Sequence, residues 1–155
     1  MCAIVPDIDV LCFKLGISYG SFWGHRGFFH SIFFAFLFGF VTTAFLYSTG
    51  KISKKDLCFY GIYFSLVTTT HGVLDAFTNG GLGIALLSPF DNHRYFFWTT
   101  PISVSPLNPR VFLTGRGFQV LANELFWVWV PMLFLASLGK LTLYRKNKSQ
   151  YQKAV

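Results

Sequence analysis

The stretch FFHSIFFAFLFGFVTTAFLYST, Phe28 to Thr49, decides the fold. Its 22 residues include no Asp, Glu, Lys, Arg or Pro. At about 1.5 Å of rise per residue, a helix of that length covers about 33 Å, the thickness of a bilayer core. The stretch therefore predicts a transmembrane helix with one polar intruder near its start, His30. Leu57 to Thr78, LCFYGIYFSLVTTTHGVLDAFT, has the same length and predicts a second span, with His71 and Asp75 in its last two turns. A third, Val120 to Tyr144, contains FWVWVPMLFLASLGKL, with Glu124 near its start. Its interior Pro131 predicts a kink, and Trp127 and Trp129 suit an interfacial belt.

Between the second and third spans the chain is rich in Gly, Pro and aromatics, GGLGIALLSPFDNHRYFFWTTPISVSP from Gly80 to Pro106. The run GLGIALLSPF is too short and broken to cross, so it reads as a re-entrant or interfacial segment followed by a strand or irregular stretch. The first 27 residues are mixed and hold no signal-peptide apolar run. The expected fold is an all-α integral membrane protein with about three transmembrane helices and a re-entrant or interfacial segment between the second and third. One membrane-embedded domain, residues 1–144 with spans near 28–49, 57–78 and 120–144, is followed by a basic tail, residues 145–155.

Composition agrees with membrane residence. Of the 155 residues, 53% are hydrophobic, 20% aromatic and only 12% charged, where a soluble domain carries about 25% charged residues. The net charge of +7 invites a nucleic-acid partner, but 20 Phe and a mean hydropathy of +0.49 exclude one. A nucleic-acid binder displays its basic residues on a polar surface. Cys2, Cys12 and Cys58 form no CxxC pair and predict neither a zinc knuckle nor a disulfide framework; they read as small buried apolar residues.

Alternating the spans places Lys51, Lys54, Lys55, Lys140, Arg145, Lys146, Lys148 and Lys153 on one face against Asp56 alone. The other face holds Lys14, Arg26, Arg94, Arg110 and Arg116 against Asp7, Asp9, Asp75, Asp91 and Glu124. The positive-inside rule makes the first face cytoplasmic and turns the second outward, in a multi-pass protein. All four histidines fall on the outward face or in the span ends that open onto it. His71 and Asp75 are i and i+4 on a helix and share a face. An ionisable residue inside a span costs about 2.5–3.5 kcal/mol on insertion scales, so several at one depth should pair or ligate something.

Each motif also has a plainer reading. PDID, Pro6 to Asp9, places two carboxylates on one face of an extended segment, where they suit a metal or a base, yet it also reads as a cap or turn. HRGFFHS, His25 to Ser31, gives two imidazoles at a span mouth, or an interfacial anchor with Arg26 on lipid phosphate. HGVLD, His71 to Asp75, is the most informative, its plainer reading being a self-satisfied pair used in helix packing. His93 and Arg94 read as loop groups able to bind phosphate or carboxylate, and Glu124 as either a first-turn dipole partner or a buried acid.

Taken in order, PDID, HRGFFHS, HGVLDAFTNGGLGIALLSPF, RYFF with PISVSP, then RG and Glu124 before the last span resemble the bacterial YdjM-like inner-membrane proteins, described as membrane-bound metal-dependent hydrolases. The resemblance runs from about Pro6 to Pro131 and implies a metal-site role for Asp7, Asp9, His25, His30, His71 and Asp75, with Arg94 and Glu124 as second-tier catalytic positions. Two departures stand out. Family members usually begin with a further apolar helix before the PDxD motif, so the resemblance predicts an N-terminally short chain. They also usually carry Thr where this chain has Phe29, which removes a hydroxyl beside His30.

The chemistry expected is metal-assisted hydrolysis. Imidazole and carboxylate ligands suit zinc, or manganese and iron where carboxylates dominate. His30, His71 and Asp75 lead as ligands because span ends fix them. Asp7, Asp9 and His25 would complete a second metal position or supply the base, and Arg94 or Arg26 would hold an anionic group. A site at the outer interface suits a lipid-linked or phosphoester substrate, with the bilayer itself as partner; the sequence is silent on oligomeric state. Two rivals are an ion or proton transporter component, since intramembrane His and Asp also mark relays, and a non-catalytic scaffold whose basic tail binds a cytoplasmic partner or lipid headgroups.

Overall fold

Pro6, at the first turn of a helix where its missing N–H costs nothing, opens a 3-10 helix over Val5–Asp9, and the chain continues as α1, Val10–Lys14. The computed structural model describes residues 2–105 and 109–154. They divide into two units, Met1–Thr100 and Pro101–Val155. Among the described residues there is no strand beyond isolated bridges, so the protein is helical.

In the first unit an irregular loop leads from α1 to a 3-10 turn, Phe28–His30, and then to α2, Ile32–Ser48. The expected span from Phe28 is thus shortened. Ser31 adopts extended backbone and its Oγ accepts from Phe34 N at 3.0 Å, so the helix begins after it and His30 sits in the turn before. α2 closes at Thr49, with Gly50 at φ +70 supplying the left-handed residue of the turn. A turn stapled by Ser53 Oγ on Asp56 Oδ2, 2.6 Å, starts α3, Leu57–Ala76.

α2 and α3 pack as an antiparallel pair along a seam of small residues: Ala35, Gly39 and Thr43 face Gly61, Ser65, Thr68, Gly72 and Ala76. At Gly39 a Cβ would meet the Ser65 Oγ and its backbone nitrogen, so only glycine permits this approach. The seam's hydroxyls bond back to their own helices, Thr43 to the Gly39 carbonyl at 2.8 Å and Ser65 to that of Gly61 at 2.7 Å. No polar atom there is left for lipid.

After α3 the chain runs without regular elements to Thr100, as the Gly and Pro content predicts. Ile84 and Tyr95 exchange backbone hydrogen bonds of 2.9 Å in an antiparallel bridge. The segment is stitched onto the earlier loop by Ala85 N to the Arg26 carbonyl, 3.1 Å, and onto the start of α2 by Ile32 N to the Leu86 carbonyl, 3.0 Å.

In the second unit, α4 (Pro109–Phe112) precedes α5 (Gly115–Glu124), a π-helical stretch (Leu125–Trp129) and α6 (Val130–Ala154). The sequence predicts a kink at Pro131; the structure places π-helical turns directly before it, where the wider helix accommodates the residue's missing N–H and its ring. The expected tail boundary at Tyr144 falls inside α6.

Polarity is inverted relative to a soluble protein. Asp9, His25, Arg26, His30, Ser65 and Thr68 are buried, while Phe33, Phe40, Phe45, Phe59 and Leu66 are exposed. Cys58, expected inside, is exposed as well, because it lies on the outer side of α3.

Candidate metal centre

Four short pieces converge in the first unit: the 3-10 helix with Asp7 and Asp9, the loop with His25 and Arg26, the turn with His30, and the end of α3 with His71 and Asp75. Asp7 and Asp9 do not share a face as an extended segment would have it. In a 3-10 helix of about three residues per turn they point roughly 120° apart. Asp9 is fully buried against His25 and His30, while Asp7 stands at the rim.

The contacts form two groups. In the inner one, Asp9 Oδ1 lies 2.6 Å from His25 Nδ1, and Asp9 Oδ2 lies 3.0 Å from His30 Nδ1 while accepting the Arg26 N–H at 3.0 Å. In the outer one, His30 Nε2 lies 3.6 Å from Asp7 Oδ1 and 3.4 Å from Asp75 Oδ2. His71 Nε2 lies 3.3 Å from Asp7 Oδ1 and 3.9 Å from Asp75 Oδ2. Burial alone would raise the pKa of Asp7, but its contacts with His30 and His71 outweigh it and hold the carboxyl well below the usual range. Asp9 is lowered likewise: burial opposes, and its bonds with His25 and His30 prevail.

The outer group fits a cation. Nε2 of His30 and of His71 are buried and make no hydrogen bond, which is costly for a buried polar atom. The four facing atoms of Asp7, His30, His71 and Asp75 lie within 4.8 Å of one another. Ligands about 2.0–2.1 Å from a tetrahedral ion stand about 3.3–3.4 Å apart, close to most of these separations. The inner group, Asp9, His25 and His30, also lies within 4.8 Å. Its 2.6 Å contact is a hydrogen bond, however, and Asp9, 3.0 Å behind His30 Nδ1, backs that ring so that Nε2 faces the outer group.

Arg26 is held at φ 63, the one positive-φ residue besides glycine among the described residues. Such backbone costs about 1–3 kcal/mol and marks a residue fixed by its surroundings. Its Nε lies 3.2 Å from Asp75 Oδ2 and its Nη1 donates to the Gly80 carbonyl at 2.6 Å. Gly81, at φ +83, leaves the space: a Cβ there would sit 3.1 Å from Arg26 Nη1.

Arg94 departs from its expected role. Rather than facing an anion, its guanidinium donates to the carbonyls of His25 (2.9 Å), Gly83 (3.4 Å), Tyr19 (2.9 Å) and Ser21 (3.2 Å). It braces the loop that carries His25 and Arg26. His93 is an exposed loop residue whose ring meets Tyr95, and Glu124 belongs to the second unit as the last residue of α5. Sequence reasoning missed Gly72, where a Cβ would meet the His30 carbonyl at 2.5 Å; its one signal is its place beside His71.

Two helices, Lys54–Ala76 and Gly115–Lys148, are long and apolar enough to cross a bilayer, and the 17-residue α2 is a shorter apolar helix. With the inverted polarity, they define a helical integral membrane protein with a buried His and carboxylate cluster. The chain belongs to the YdjM inner membrane protein family, whose profile matches residues 1–148. It is similar to the inner membrane protein YbcI of Escherichia coli (strain K12), at 36% identity over 133 residues, 86% of this chain and 75% of that protein. No solved structure matches it.

Proposed function

We propose that this chain is a membrane-bound metal-dependent hydrolase whose ion is held by His30, His71 and Asp75, with Asp7 at the rim. The observation that carries this is the pair of buried imidazole nitrogens, Nε2 of His30 and His71, which lack hydrogen-bond partners and face the Asp7 and Asp75 oxygens. A divalent cation, zinc first and manganese or iron next, supplies Lewis acidity and a nucleophile at neutral pH when bound there. Asp9 holds the His30 ring, Arg26 holds Asp75, and Asp7, the most exposed carboxylate of the set, would orient the attacking water by accepting a hydrogen bond from it.

The orientation carries the site to the outer face of the inner membrane, with α2, α3 and the last helix as three spans and the segment after α3 lying in the interface. The substrate class is a lipid-linked or phosphoester compound. An apolar groove of about 470 Å³, walled by Ile32, Phe33, Phe36, Leu86 and Leu87, supports a lipidic one, because Ile32 follows His30 by two residues. A proton or ion pathway is disfavoured: the seam between α2 and α3 away from the cluster is lined by small residues whose hydroxyls are bonded to their own helices.

Metal analysis of the detergent-purified protein beside His71→Ala and Asp75→Ala tests the reading. Retained zinc in the parent and its loss in both variants is expected; unchanged content in both sinks the ligand assignment. Chelator-sensitive release of water-soluble phosphate from phospholipid vesicles, absent in His71→Ala, is the matching activity assay.

A further inference from the structure

We infer that the cluster takes a single divalent ion, and that the Arg26 guanidinium, in contact with Asp75, supplies the positive charge that a second ion would otherwise bring. The inference rests on the metal reading above and concerns what surrounds that ion.

Spacing separates the two groups that could each hold a cation. The outer contacts, 3.3, 3.4, 3.6 and 3.9 Å, leave room for an ion between the ligand atoms. The inner contacts, 2.6 and 3.0 Å, do not. Asp9 is also saturated: Oδ1 is on His25, and Oδ2 is shared by His30 and the Arg26 N–H. Turning it into a ligand would strip two buried donors, His25 Nδ1 and the Arg26 N–H, of their acceptor. His30 is the one imidazole common to both groups, and with Nδ1 at Asp9 only Nε2 is left for an ion.

Charge gives the same count. Asp7, Asp9 and Asp75 bring three negative charges, and the Arg26 guanidinium is in ion-pair contact with Asp75. With neutral imidazoles, one divalent ion cancels what Arg26 leaves. A second would put two positive charges in excess at a site where Arg26 is only 3% exposed. Arg26 is therefore a positioning residue with an electrostatic task. It is held from three sides: its N–H on Asp9, its carbonyl accepting from Ala85, and Nη1 on Gly80.

The test is zinc stoichiometry of the full chain in detergent, loaded from a chelator-buffered zinc solution and counted by mass spectrometry. One zinc per chain is expected in the parent. Asp9→Asn should keep that one zinc with affinity lowered about 10- to 100-fold, as for residues behind a ligand. Arg26→Gln, which removes the charge, should bind the one zinc more tightly, whereas Arg26→Lys should behave as the parent. A merely structural Arg26 would weaken zinc binding in both. Two zinc ions in the parent, or equal weakening in R26Q and R26K, overturns the inference while leaving the metal reading intact. No zinc in the parent overturns both.

Discussion

His30 uses its two ring nitrogens for different ends, Nδ1 toward Asp9 and Nε2 toward Asp7 and Asp75. What surrounds it can be tested one side chain at a time. Arg94 donates to four backbone carbonyls around His25. Arg94→Met should therefore lower stability by about 2–5 kcal/mol, read by thermal unfolding in detergent, because acceptors are left unmade. Zinc content per folded molecule should persist, since no Arg94 atom reaches the outer group; loss of zinc from folded protein would assign Arg94 to the site instead. The carboxylates define a pH response. Asp7 and Asp9 have folded pKa values below their unfolded ones, so their contribution is present above about pH 4 and lost as pH falls through the folded values. Metal-free protein should lose stability on acidification, and Asp7→Asn should flatten that slope; an unchanged slope counts against the ion pairs. His71 and Asp75 were legible in the sequence because helical period puts i and i+4 together. The parting of Asp7 from Asp9 was not, since the two-residue spacing reads oppositely on extended and 3-10 backbone. Arg94's partners are backbone oxygens of an irregular loop, which no side-chain pattern announces.

The α2 and α3 pair positions the site through close approach at its seam. Gly72 illustrates this with opposed signs. Alanine is the better helix former by about 1 kcal/mol, yet its Cβ would press on the His30 carbonyl. Gly72→Ala should thus keep or raise helical content by circular dichroism while cutting zinc affinity; unchanged affinity would mean that the turn at His30 yields freely. Gly39→Leu, which drives a side chain into Ser65, should separate the helices and cost about 1–3 kcal/mol. The helix α3 was readable almost to the residue, from Leu57 to the turn after Ala76. The start of α2 was read too early: HSIFF contains its own start signal, a serine three residues before Phe34 N, which hydrophobic continuity across Phe28 and Phe29 masked.

For the molecule as a whole, the charge asymmetry makes a prediction about sidedness. In a background without Cys2, Cys12 and Cys58, a membrane-impermeant thiol reagent should label a cysteine placed at Asn92 in intact cells and spare one placed at Ser149. The reverse pattern would invert the proposed orientation. Removing the residues after Tyr144 should leave any turnover intact, whereas a scaffold acting through its basic tail would lose its role. The helical, membrane-embedded character was legible from composition because so few charges are available to solvate a surface. The irregular segment after α3 was legible only as irregular, because its partners are a loop far away in sequence. The grip of Arg94 on the carbonyls of Tyr19, Ser21 and His25 also bears on the order of biogenesis. A cradle closed by a guanidinium and main-chain oxygens makes those hydrogen bonds without a cation. On the proposed reading, loading follows insertion, and because an ion that binds the folded chain adds to its stability, the supply of metal would govern how much protein accumulates as well as its activity.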